Sequence, residues 1–459
     1  MTTIKALLRS SAGMSVCLLA MAAATPAKAA TITSFTPGDI VVTVEGNGSG
    51  TGTYLDNQAA PLTLDEFTTG GTLVGTLTLP QTSSGSNSAI SGEYGSSSEG
   101  MLQLSGNGQY LAVMGYGVNA ATYNAQNDAN GTGTALAQST SSSVSRVVAL
   151  IGANGSVNTS TALTNVFSGN NPRSVYTATG QTFLISGQGT KGDATSGVFS
   201  AKLGATTATA VTGLDSTYQG AAASQDTRVI QQYNGQTYVS IDSKTGSPNR
   251  EYIATMSSNG TLTPLAGMAS GTVKLNGSNG NGINGGSGTV NLSPDGFFFA
   301  NSTTLYVADT GSPKAGSTLG DGGLQKWSLE SVSGAQTWVL DYTLSAGLDL
   351  VKNSASSGTT GLYALTGKVV GNSVELFATN YTIGDTDQTY VYGITDSLAN
   401  LTAPGTSFKQ LFAASADTNL KGIAFAPVSA VPLPGGLALF VSGIAGLAGL
   451  GAARRRKAA

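Results

Sequence analysis

A short phrase recurs along the middle of this 459-residue chain: a glycine-containing turn, then at once an apolar strand. It reads NGQYLAV from Asn107, TGQTFLIS from Thr179, NGQTYVSI from Asn234, PDGFFFAN from Pro294 and TTGLYALTG from Thr359. The glycines fall at 108, 180, 235, 296 and 361, with gaps of 72, 55, 61 and 65 residues. Irregular repeats of this size suit the blades of a β-propeller joined by variable loops. Runs of β-branched and aromatic residues between Gly/Asn/Ser turns predict many short strands and an all-β fold.

Counting strands within the repeats sharpens this expectation. The last unit supplies four, starting at Gly361, Ser373, Thr389 and Phe408, and the unit before it supplies GFFFAN, TLYVADTG, GLQKWSLE and TWVLDYTL. Three strands are legible in each of the earlier units. The end of the body adds KGIAFAP (Lys421–Pro427). Its beginning adds DIVVTVEG from Asp39, LTLDEFTT from Leu62 and TLVGTLTL from Thr72. One late strand and three early ones complete a blade, which closes the ring and hides two sheet edges. The expectation is a six-bladed propeller, with seven blades as the next choice and a parallel β-solenoid as the rival. The Gly/Asn-rich stretch Asn276–Gly288 reads as a flexible loop between units.

Charge and histidine content narrow the chemistry. Charged residues are 10% of the chain and glycines number 63, against ordinary shares of about 25% charged and about 7% Gly. There is no histidine, which excludes Ser-His-Asp and Cys-His catalysis and most catalytic zinc sites. The single cysteine, Cys17, lies in the N-terminal segment. Seven of the 21 basic residues sit in the two end segments, and no acid does. The body therefore carries 14 basic against 24 acidic residues, a net charge of −10. Such a body repels nucleic acid.

Both ends read as addresses. Residues 1–29 have a positive start (Lys5, Arg9), an apolar stretch from about Ala12 to Ala24, and a small-x-small site at Ala27 and Ala29. That is the pattern of a signal peptide with its signal helix, cleaved before Ala30. At the other end, the 19 residues from Gly435 to Ala453 carry no charge. As a transmembrane helix they would span about 28 Å, against a bilayer core of about 30 Å. Arg454, Arg455, Arg456 and Lys457 follow directly, and such a cluster stops transfer and stays in the cytoplasm. The body, residues 30–430, is then expected outside.

The tail, residues 431–459, resembles the PEP-CTERM class of bacterial sorting signals, most closely its VPLPA variant. Val431, Pro432, Leu433 and Pro434 match the proline motif, Gly435 stands where the variant usually has Ala, and the glutamate of the PEP form is absent. The resemblance implies an exosortase-like membrane protease as partner, residence in the inner membrane before processing, and then delivery to the cell surface or extracellular matrix. It also implies organisms that make exopolysaccharide and biofilm. A permanent membrane anchor is the competing reading of the same tail. The body's phrases LSGNGQYLAVMGY and SPDGFFFA resemble secreted bacterial propeller proteins of unassigned activity.

The body offers no convincing catalytic or cofactor motif. Asp385 and Asp387 in GDTDQTY could help ligate calcium, but Asp/Thr/Gly is also ordinary hairpin chemistry. Asp309 and Asp321 bracket a loop and could line a propeller mouth or stand as solvated loop acids. Asp65–Glu66 and Glu93 with Glu99 are close acidic pairs, and paired carboxylates can hydrolyse a glycosidic bond without histidine. Sixteen tyrosines against two tryptophans suit sheet faces on which the hydroxyl stays wet. The expectation is a non-enzymatic binding or scaffolding protein without a cofactor. An extracellular carbohydrate-active enzyme using paired carboxylates is the alternative.

Overall fold

The computed structural model describes residues 30–49, 53–190, 193–212, 226–243, 250–268, 271–274, 289–311 and 321–429. The segments read from the sequence as a signal peptide (1–29), a loop (276–288) and a sorting tail with a transmembrane helix (431–459) lie outside the described residues. Among the described residues no helix is long and apolar enough to cross a membrane.

The fold is all-β and propeller-like. Four separate sheets are four-stranded, each joining its strands in chain order. They begin at Pro172–Thr177, Thr227–Tyr233, Pro294–Asn301 and Thr359–Val370. A ten-stranded sheet holds the rest, apart from a small pair, Thr272–Lys274 with Thr289–Asn291. Within that large sheet the C-terminal strand Thr418–Phe425 pairs antiparallel with the N-terminal strand Ile40–Gly46, Ile40 opposite Phe425 and Gly46 opposite Thr418. Ile40–Gly46 then pairs with Ala59–Phe67, and that strand with Leu73–Thr78. This is the split sheet of one late and three early strands that the sequence leads one to expect. The first strand of each sheet packs beside the first strand of the next, and Thr418–Phe425 lies beside both Thr359–Val370 and Gln103–Leu104.

The apolar runs are continuous because each sheet is covered on both faces. Along Tyr110–Tyr116 successive side chains point to opposite faces. Leu111 and Val113 pack with Leu62, Leu64 and Ile90, whereas Ala112 and Met114 pack with Val175, Phe183 and Ile185. Arg146–Gly152 does the same, Val147 and Ile151 facing one neighbour and Val148 and Leu150 the other. Three of the outer strands are different. Val157–Leu163, Thr209–Ala210 and Leu262–Pro264 are short or polar and partly exposed, so they lack the apolar signal that marks the inner strands.

The glycine repeat needs correcting. Gly108, Gly180 and Gly235 have positive φ in the turn between first and second strands, as expected. Gly296 lies inside Pro294–Asn301 and Gly361 inside Thr359–Val370, so the phrase shifts by one strand in the later units. The reason is crowding where neighbouring sheets meet. A Cβ on Gly296 would stand 2.6 Å from the Leu365 nitrogen, and one on Gly422 would stand 2.0 Å from the Leu102 nitrogen. Bare backbone at these points lets adjacent first strands approach.

Candidate functional site

Two polar regions share one end of the ring, where the first strands begin. One is a buried ionic cluster and the other an open cleft.

The cluster starts from strand ends brought together by the ring. Arg173, at the start of its strand, bonds Asp226 of the next sheet and Gln188 Oε1 at 2.9 Å. Arg228 lies 3.4 Å from Asp226 and from Asp242, and 3.6 Å from Asp295 of the following sheet. Ser293 Oγ donates to Asp242 Oδ2 at 3.1 Å, and Ser293 N donates to Asp309 Oδ2 at 2.9 Å. Asp309 also accepts from Gly311 N and Gln325 Nε2. Across the ring, Tyr363 OH donates to the Glu99 carbonyl at 2.8 Å. Lys421 Nζ donates to the Ser96 carbonyl and stands 3.7 Å from Glu45. Glu45 has no hydrogen-bond partner among the described residues.

Acids outnumber bases in this cluster, and burial moves their protons. Burial pushes Glu45 up to about 8 against the pull of Lys421, with Glu99 adding to the rise. Burial and the neighbouring Glu99 raise Glu93 to about 9. Asp295 rises to about 7 through burial, opposed by Arg228. Asp309 rises to about 8 through burial, although two backbone amides hold its charge. Desolvation favours the neutral carboxyl in each case.

The sequence-read acids can now be placed. Asp309 and Asp321 are buried, not solvated, and Asp321 accepts from Asn291 N and Nδ2. Asp65 and Glu66 are neighbours on one strand and take different partners: Asp65 accepts from Thr76 Oγ1 at 2.7 Å, Glu66 from Thr36 N at 2.5 Å. Glu93 and Glu99 do come together, both buried. Glu93 accepts from Ala137 N, and Glu99 from Tyr116 OH and Asn171 Nδ2. Asp387 Oδ2 accepts from Gly358 N and Gly384 N at 2.9 and 2.8 Å, and the Asp385 carbonyl accepts from Asn419 Nδ2. Many tyrosine hydroxyls are dry: Tyr306 and Tyr342 both donate to the buried Asp396, at 2.7 and 2.6 Å. Ala30 opens a short edge strand that pairs with Gly75 and Thr76. The remaining sorting and cleavage residues lie outside the described residues.

The cleft is formed by an insertion between Tyr110–Tyr116 and Arg146–Gly152. It contains the one helix among the described residues, Ala120–Asn127, which the sequence reading missed. Asn119 caps the helix, its Oδ1 accepting from Thr122 N at 2.9 Å. Asn124 then docks it, bonding both the N–H and the carbonyl of Ala59 at 2.9 Å. The facing wall, residues 138–144, is fastened by Arg146. Its guanidinium donates to the carbonyls of Ser139 (2.7 Å), Val144 (2.8 Å) and Phe167 (2.9 Å) while stacking on Tyr116 at 4.6 Å. Between the walls is a cleft of about 540 Å³. Thr122, Gln126 and Asn127 line one side, Gln138, Thr140 and Ser143 the other, and no charged side chain lines it. The local signal was available in Asn119 as a cap residue before AATYNAQN.

Fold and site together define an all-β, propeller-like protein with a neutral cleft beside a buried ionic cluster. No family model matches the chain, and no curated protein matches it. Among solved structures it is similar to a chain of a nidogen/laminin complex, at 13% identity over 85% of this chain and 98% of that one, with a TM-score of 0.41. It is also similar to a hypothetical selenium-binding protein from Sulfolobus tokodaii, at 9% identity over 87% of this chain and 97% of that one, with a TM-score of 0.40.

Proposed function

We propose that this is an exported, non-enzymatic binding or scaffolding protein built on a six-bladed ring. In this reading the closing blade is Thr418–Phe425 with Ile40–Gly46, Ala59–Phe67 and Leu73–Thr78. The pairing of the chain's two ends and the side-by-side packing of the first strands support that count. One observation carries the non-enzymatic reading: Glu66, Glu93 and Glu99 are buried, Asp65 is half-buried and held by Thr76, and the polar lining of the open cleft is neutral amides and hydroxyls. General acid–base work needs a titratable group within reach of substrate.

Export rests on the two end segments. Residues 1–29 direct the chain out, and residues 431–459 hold it in the inner membrane until an exosortase-like protease cuts near Val431–Gly435. The body then reaches the cell surface or matrix. Intact-mass measurement of the protein from its native host tests this. The expected mature form lacks both residues 1–29 and the basic end Arg454–Lys457. A mature form that keeps ARRRKAA is a permanently anchored protein, and the sorting proposal then fails. Turnover of a glycan, abolished by a single carboxylate-to-amide change, would overturn the non-enzymatic reading.

A further inference from the structure

We infer that the cleft between the helix Ala120–Asn127 and the wall 138–144 binds an uncharged, hydroxyl-rich ligand, a neutral glycan chain. The inference rests on the binding reading above and names the ligand class.

The lining selects by exclusion and by fit. Among the described residues no Lys or Arg lines the cleft to meet a phosphate, sulfate or uronate, and no carboxylate lines it to meet a cation. A peptide would need a free strand edge or apolar pockets for its side chains. Here one wall is a helix face and the other an irregular segment, and the apolar lining is confined to Val118, Val144 and the ring of Tyr123. What remains is a set of neutral groups that both donate and accept. Each Asn or Gln amide presents a donor beside an acceptor, and each Ser or Thr hydroxyl does both. Sugar hydroxyls need that pairing, because each is itself donor and acceptor.

Three of these groups are also available. The side chains of Gln126, Gln138 and Thr122 make no hydrogen bond to another described residue, and all three are exposed. Their backbones, by contrast, are held. Asn124 pins the helix to Ala59, Tyr123 OH reaches the Thr134 carbonyl at 3.1 Å, and Arg146 holds the opposite wall. A fixed frame loses little backbone entropy on binding, so that the cost is confined to the rotamers of the free tips. The volume of about 540 Å³ falls within the range of small-ligand clefts, about 300–1,000 Å³, room for a short stretch of chain rather than one whole polymer turn. The negative body disfavours polyanions and leaves a neutral polymer unaffected.

The test is calorimetric titration of the full chain with three neutral hexasaccharides (malto-, cello- and laminari-) and one uronate hexamer. At least one neutral hexasaccharide is expected to bind and the uronate not. Gln126→Ala with Gln138→Ala should weaken binding about tenfold, as expected for two lost hydrogen bonds. Thr122→Trp should abolish it by filling the cleft. The thermal midpoint of each variant should match that of the parent. No neutral binding, or preference for the uronate, overturns the inference. Neutral binding unchanged in both variants also overturns it, while leaving the binding reading intact at another site. Reducing ends released in the cleft would instead sink the non-enzymatic reading and keep the ligand class.

Discussion

The ionic cluster and the cleft lie at the same end of the ring, and they use polar side chains in opposite ways. In the cluster the groups are ionisable, buried and spent on one another: Arg173, Asp226, Arg228, Asp242 and Asp295 link three successive sheets. In the cleft they are neutral, and their tips face outward. The difference shows that a chain with few charges has placed several of them as fasteners between sheets. The polar lining of its open cleft is made from amides and hydroxyls. A buried charge must be paired or neutralised, so it cannot also be offered to a ligand, whereas a neutral amide at the surface costs nothing to leave waiting.

Five measurements break or sharpen this contrast. The largest effect is expected where the cluster meets the closure of the ring, since Glu45 and Lys421 sit on the two paired terminal strands. Deleting residues 30–80 strips Thr418–Phe425 of its partner, and cooperative denaturant unfolding should be lost. Retention of a single sharp transition would show that the closure does not hold the fold together.

Next is Lys421→Met measured at pH 9, above the value of about 8 to which burial pushes Glu45, so that the change takes the cation from an ionised, buried carboxylate. Breaking a buried pair costs about 3–5 kcal/mol, readable as a lower urea midpoint with unchanged slope. An unaltered midpoint would mean the pair is not formed.

The third is pH. Glu45, Asp295 and Asp309 have folded-state values near 8, 7 and 8, above their ordinary values of 4.5 and 3.8. The folded state therefore binds more protons between those limits, and stability falls as pH rises. Their contribution is fully present below about pH 4 and lost as pH passes through 7 to 8. A difference on the order of a few kcal/mol between pH 5 and pH 9 is expected in urea melts. Stability that climbs over this interval would contradict the buried, protonated cluster.

Arg146→Lys is milder. Lysine cannot span the carbonyls that the guanidinium fork reaches, and leaving one unpaired costs about 1–3 kcal/mol. Hydrogen exchange should quicken in residues 137–144 more than in the strand Ile40–Gly46. Equal protection in both would show that Arg146 does not fasten the cleft wall.

The smallest effect belongs to the cleft itself. Gln126→Ala and Gln138→Ala should leave stability within about 0.5 kcal/mol of the parent, as for surface positions free of buried partners. A larger loss would place these amides among the fasteners and erase the distinction between the two regions.

Inner strands were legible from the chain because burial on both faces writes itself as unbroken apolar runs, such as YLAVMGY and RVVALIG. The pairing of the chain's ends was legible too, because one strand was left over at one terminus and three at the other. Short fourth strands such as Thr209–Ala210 were not, unlike the longer Ala335–Leu344, since an exposed two-residue strand carries no such run. The end segments 1–29 and 431–459 lie outside the described residues, and the export proposal for them rests on their charge and apolar length alone. Tertiary structure decided the rest. Whether Asp309 is solvated or buried, and whether Glu93 meets Glu99, depends on which sheets the ring sets side by side. It was the fold, too, that left Gln126 opposite Gln138. A carboxylate has the same letter in water and in the interior, and only its neighbours decide what it can do.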